Sequence, residues 1–123
     1  MNTVIVSGRL NADPECKYKE DGAGNRLLIV KYTLVQTNTK GDGWKTDMNF
    51  IPCIAFGRVA QIAKEHLRQG KLLTVEGRFQ GRLVEHNGER SFFSNVAVRQ
   101  QIFELDNNVN SRVGDDSGYK EDR

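Results

Sequence analysis

Polar and apolar residues alternate along most of this chain, and the period changes in one stretch. Thr3 to Leu10 is rich in β-branched residues (Val4, Ile5, Val6) and predicts a first strand. Asp13-Pro14 interrupts it, and Glu15 to Lys19 resumes an extended path. Asp21-Gly22-Ala23-Gly24-Asn25 is loop by composition. Arg26 to Thr37 is the longest strand candidate, with Leu28, Val30, Tyr32 and Leu34 on one face and Ile29, Lys31, Thr33 and Val35 on the other. Asn38 to Lys45 predicts a hairpin loop. Phe50 to Phe56 predicts a third strand whose two Phe rings and Ile54 share a face opposite Ile51, Cys53 and Ala55. After Gly57 the period becomes helical. Val59, Ile62, Ala63 and Leu67 form one stripe within Arg58 to Arg68, and Gly70 is a suitable stop. Leu72 to Leu83 is again a strand, with Leu73, Val75, Gly77 and Phe79 alternating against Thr74, Glu76, Arg78 and Gln80. Asn87-Gly88 signals a tight hairpin. Ser91 to Leu105 predicts the last strand, with Phe92, Val96, Val98, Ile102 and Phe103 as its apolar residues.

Three strands, one helix and two strands is the layout of a five-stranded OB-fold, an all-β Greek-key barrel with its helix between strands 3 and 4. A small open sheet with a docked helix has the same order. The expected organisation is one domain over residues 1–105. From Asp106 the chain is rich in Asn, Asp, Ser and Gly, which predicts a disordered tail over 106–123.

The chain has 123 residues, enough for one modest core. A net charge of +2 is too small to announce a nucleic-acid partner, so the placement of the charges must decide. The two cysteines, Cys16 and Cys53, with no secretory signal, point to reduced thiols and a cytoplasmic location. No stretch is apolar enough for a bilayer-spanning helix. His66 and His86 have no partner set, and no metal-ligand spacing, phosphate loop or paired carboxylates stand out. The expectation is therefore a protein that is not an enzyme and uses no metal or cofactor.

Binding features are better developed. Trp44, Phe50 and Phe56 are interleaved with Lys40, Lys45 and Arg58. Arg78 and Arg82 share a face of the fourth strand, and Lys17 and Lys19 follow the first. Rings that stack on bases, beside cations that track phosphates, suit a single strand and tolerate any sequence. Each residue alone also fits a plainer role: Phe in a strand is commonly core, and Arg on a strand is commonly a solvated edge.

Taken together, the order of short motifs resembles the bacterial single-stranded DNA-binding proteins. The resemblance runs through Asn2-Thr3-Val4-Ile5, Gly8-Arg9-Leu10, Asp13-Pro14-Glu15, Thr33-Leu34, Phe56-Gly57-Arg58-Val59-Ala60, Leu67-Arg68-Gln69-Gly70 and Val75-Glu76-Gly77-Arg78, and spans residues 2 to 105. It implies base stacking by Phe50 and Phe56, with Lys31 and Arg58 near the bound strand. It also implies assembly, usually as a homotetramer with a dimer as the alternative, through first strands that hold Asn2, Val4, Val6 and Gly8. The implied role is coating single-stranded DNA in replication, recombination and repair. Lys40 and Val84 stand where the family commonly has aromatics, and Trp44 is a substitute for the first. The family's acidic C-terminal tip, which recruits replication and repair proteins, has no counterpart before Asp122-Arg123. Two other readings stay open: an OB-fold protein-interaction module resembling a primosome accessory protein, and an RNA binder. A chromosomal or a phage-encoded role fits the same residues.

Overall fold

The burial of the longest strand follows its alternation. Leu28, Val30, Tyr32 and Leu34 are buried, whereas Ile29, Lys31, Thr33 and Val35 are not. The computed structural model describes residues 1–40 and 45–104. Along them run β1 (Val4–Leu10), β2 (Glu15–Glu20), β3 (Arg26–Lys40), β4 (Lys45–Phe56), α1 (Gly57–His66), β5 (Leu72–His86) and β6 (Glu89–Phe103). The stretch Asn38 to Lys45, expected as a loop, is strand at residues 38–40 and at Lys45, because β3 and β4 pair as far as Lys40↔Lys45; residues 41–44 lie outside the described residues. Trp44, Leu105 and the predicted tail lie outside the described residues.

Five of the strands close a ring. β1 pairs with β5 along Val4–Arg9 and with β3 at Arg9 and Leu10. β3 pairs with β4, β5 pairs with β6, and a short parallel contact of Cys53 with Val96 and Ile54 with Ala97 joins β4 to β6. This is the OB-fold barrel, with six strands where five were expected. The extra strand is the second half of the first one. β1 and β2 lie in succession along one edge of β3, broken where residues 12–14 leave the ladder. Pro14 has no N–H to give that ladder.

The core fills the ring. Leu10, Val30, Leu34, Ala55, Leu73, Val75 and Val96 meet Ala60, Ala63 and Leu67 of the helical segment, so the apolar stripe of α1 plugs one end. Leu67 caps the helix through its N–H to the Ala63 carbonyl, and Gly70 follows at φ +88°. The Asn87-Gly88 turn has both residues at positive φ, 53° and 80°, as a type I′ hairpin requires.

Two details of packing depart from simple alternation. On β6, Gln100 faces Glu76 and Val98 faces Gly77, so Arg99 is an extra residue, a β-bulge. The bulge reverses the parity beyond it. Phe103 therefore turns inward and packs on the core, and Ile102, the other apolar residue beyond the bulge, is 49% exposed. The Arg99 guanidinium holds the bulge by donating to Glu76 at 2.7 Å and to the Gly77 carbonyl at 3.2 Å. The second departure is Pro52, inside β4 opposite Thr33. The Thr33 carbonyl accepts from the N–H of Asn11, so Thr33 and Pro52 form a non-hydrogen-bonded pair. The Pro52 nitrogen thus faces away from β3, one residue before the ladder to β6 begins. No ladder bond is lost there.

Candidate nucleic-acid interface

The outward faces of β3 and β4 meet in register. Ile29 lies opposite Phe56, Lys31 opposite Ile54, Thr33 opposite Pro52, and Val35 opposite Phe50. Phe50 and Phe56 are 56% and 44% exposed, so neither ring belongs to the core. Six residues of strand separate them by about 20 Å, room for different bases on each. Met48, 53% exposed, shares their parity and extends the same row.

A groove of about 840 Å³ crosses this face. Its floor is the middle of β3 and β4, including Lys31, Pro52, Ile54 and Phe56. One wall is the β1–β2 turn at Asn11, Ala12 and Asp13. The other is the β5–β6 hairpin, which contributes Gln80, Arg82, Phe93 and Asn95. The Asp13 carboxylate accepts the Gln69 N–H at 2.7 Å, which ties the turn wall to the chain beyond α1. A smaller recess of about 230 Å³ continues past Lys31 to Lys17 and Ile29 on β2 and β3.

Of the residues predicted to touch DNA, the groove brings together Lys31, Phe56 and Arg82. Phe50 is farther along β4 on the same face. Arg58 is exposed in the first turn of α1, and Arg78 is exposed on β5, bonded to Gln80; neither lines the groove. Lys45 enters as a backbone position opposite Lys40.

The proposed subunit-contact residues have intramolecular partners. Asn2 donates to the Phe79 carbonyl and accepts the Phe79 N–H, both at 2.9 Å. Val4 and Val6 pack against the core and Gly8 is buried, so these side chains turn inward. The outward residues of β1 are Ile5, Ser7 and Arg9. Gln36 donates to the Ser7 carbonyl at 2.8 Å.

Sequence reasoning counted Phe92 among the apolar residues of the last strand, gave it no role at the site, and overlooked Phe93. Both are exposed, at 66% and 56%. The β5–β6 hairpin outruns its neighbours, since β1 reaches β5 only as far as Gly77 and β4 meets β6 only at Val96 and Ala97. Beyond these points the hairpin has no second layer to bury a ring. Adjacent residues then face opposite ways, and Phe93, paired with Arg82, takes the groove side. The available signal was the distance of Phe92-Phe93 from the barrel, only a few residues from the Asn87-Gly88 turn.

Burial sets the chemistry of two groups beneath the groove. It raises the Tyr32 hydroxyl well above the ordinary tyrosine range, and that hydroxyl donates to Gln101 at 2.7 Å. It pushes the Cys53 thiol up to about 12. Burial thus favours the neutral form of both at physiological pH. Among the described residues no helix is long and apolar enough to cross a membrane.

Residues 1–104 match the single-strand binding protein family. The chain is 32% identical over 123 residues to single-stranded DNA-binding protein A of Bacillus subtilis, covering 98% of this chain and 68% of that protein. It is 30% identical over 121 residues to a single-stranded DNA-binding protein of Clostridium perfringens, covering 97% and 75% respectively. With a single-stranded DNA-binding protein of Fusobacterium nucleatum it shares 34% identity over 91 residues, 73% of this chain and 58% of that protein. The chain belongs to the single-strand binding protein family.

Proposed function

We propose that this protein is a sequence-tolerant binder of single-stranded DNA that holds the strand in the groove between the β3–β4 face and the β5–β6 hairpin. The observation that carries the reading is the convergence of Phe56 and Phe93 with Lys31 and Arg82 in one open groove. Rings offer stacking to any base, and the two cations neutralise phosphates. Phe50 and Met48 extend the path along β4, and Arg58 and Arg78 flank it as further contacts; Trp44 and Lys45 are added as contacts on the sequence alone. Phe93 supplies, from β6, a ring near the place where Val84 leaves β5 without one.

The bound strand is shielded from reannealing and nucleases during replication, recombination or repair in a cytoplasmic setting. The role needs no chemical step, so the protein is not an enzyme. Assembly as a homotetramer is supported by β1, whose outward Ile5 is 68% exposed. On this reading its backbone edge and Ile5, rather than Val4 or Val6, meet the neighbouring subunit.

The test is fluorescence anisotropy with labelled oligo-dT and a duplex of equal length, at low and high salt. The reading expects tight, salt-sensitive binding of oligo-dT and little binding of duplex. Equal binding of both forms would contradict it.

A further inference from the structure

The hairpin wall of the groove carries an ordered chain of side chains. Arg78 donates from Nη2 to Gln80 Oε1 at 3.0 Å. Gln80 donates from Nε2 to Asn95 Oδ1 at 2.9 Å. Gln80 and Asn95 are direct cross-strand partners, and both line the groove. The direction of this chain is forced, because a guanidinium has donors and no acceptor. Gln80 must turn its oxygen to Arg78 and therefore its nitrogen to Asn95. Asn95 in turn is obliged to accept with its oxygen, which leaves Nδ2 as its outward group. Among the described residues that Nδ2 meets no acceptor. Asn95 stands two residues beyond Phe93 on the same face of β6, about 7 Å along the strand. A base stacked on Phe93 would therefore bring its edge toward a fixed donor.

We propose that Asn95 reads bases: its Nδ2 donates to a base carbonyl, thymine O2 or O4, cytosine O2 or guanine O6, and Arg78 is the positioning residue that keeps the amide in this orientation. Adenine has no carbonyl but can accept the same N–H at a ring nitrogen, N1, N3 or N7. The proposal rests on the groove reading above and deepens it, since it adds a hydrogen bond to the base edge at a site otherwise built on stacking.

The experiment compares oligo-dT of about ten nucleotides, within the site sizes of such folds, with an oligomer of 2,4-difluorotoluene nucleotides. These keep thymine's shape and stacking face and lack its carbonyls. The readout is the ratio of the two affinities in wild type, Asn95→Ala, Arg78→Met and Arg78→Lys. One neutral hydrogen bond corresponds to a preference of about three- to tenfold for thymine in wild type. Asn95→Ala and Arg78→Met should reduce that ratio, and Arg78→Lys should restore it, because an ammonium also only donates. An unchanged ratio in Asn95→Ala would overturn the proposal. Equal losses on both oligomers would also overturn it, by making Asn95 a phosphate contact. Arg78 is exposed, so its pair of variants carries the test alone if Asn95→Ala does not fold. Full affinity of Phe56→Ala for both oligomers would instead remove the groove reading and this proposal with it.

Discussion

Arg82 and Phe93 face each other across the β5–β6 hairpin, and both line the groove. A cation and a ring thus stand side by side on a wall that projects beyond the barrel. Phe92, the adjacent residue, lies on the opposite face with its ring beside Gly81. Phe93→Ala should weaken oligo-dT binding by about 1–3 kcal/mol, the range for loss of one stacking ring. Phe92→Ala should leave affinity near wild type. Equilibrium titration of both variants checks the pair, and the reverse ranking would place the strand on the other face of the hairpin.

The two groove cations make a separate prediction about salt. Each phosphate contact on a single strand contributes about 0.7 to the slope of log affinity against log salt. Lys31→Gln and Arg82→Gln should each lower that slope by about this amount, with similar losses on all sequences. Titrations at several salt concentrations read the slope directly. An unchanged slope in both variants would remove them from the phosphate path.

Cys16 is exposed and Cys53 is buried with its thiol pushed up to about 12. At pH 8 a thiol reagent should modify Cys16 in the native protein and reach Cys53 only after unfolding, as mass spectrometry would show. The same burial has a pH consequence. The unfolded chain loses the Cys53 proton near pH 9, whereas the folded chain keeps it to about 12. In that window the unfolded state binds fewer protons, so stability falls as pH rises. Tyr32, also raised by burial, acts in the same direction. Urea midpoints measured from pH 8 upward should decline.

Gly77 stands on β5 at the bulge. A Cβ there would lie 2.2 Å from the Ala97 carbonyl oxygen, a backbone atom with little room to yield. Gly77→Ala should cost about 3 kcal/mol, at the upper end for overpacking, and lower the urea midpoint. A midpoint equal to wild type would mean that the bulge relaxes freely.

Much of this arrangement was legible in the sequence because strand parity is a local property. The shared face of Phe50 and Phe56, the inward set of Leu28, Val30, Tyr32 and Leu34, and the helix stripe ending at Leu67 all follow from side-chain periods, whereas the exposure of the two rings does not. What failed depended on where neighbouring strands end. Phe92 and Phe93 look apolar in any window, and only the short reach of β1 and β4 leaves them uncovered. The facing of Ile102 and Phe103 was not legible because one unpaired residue, Arg99, reverses the parity after it. Asn95 and Gln80 gave no signal, since their relation is a cross-strand contact between residues fifteen apart.

The most direct test of the central claim is photocrosslinking of the protein to an oligo-dT carrying 5-iododeoxyuridine, with the modified residues found by mass spectrometry. The account predicts crosslinks at Phe56 and Phe93, with Phe50 joining on longer oligomers. Crosslinks confined to Phe79, Phe92 or Ile102, all exposed away from the groove lining, would contradict it.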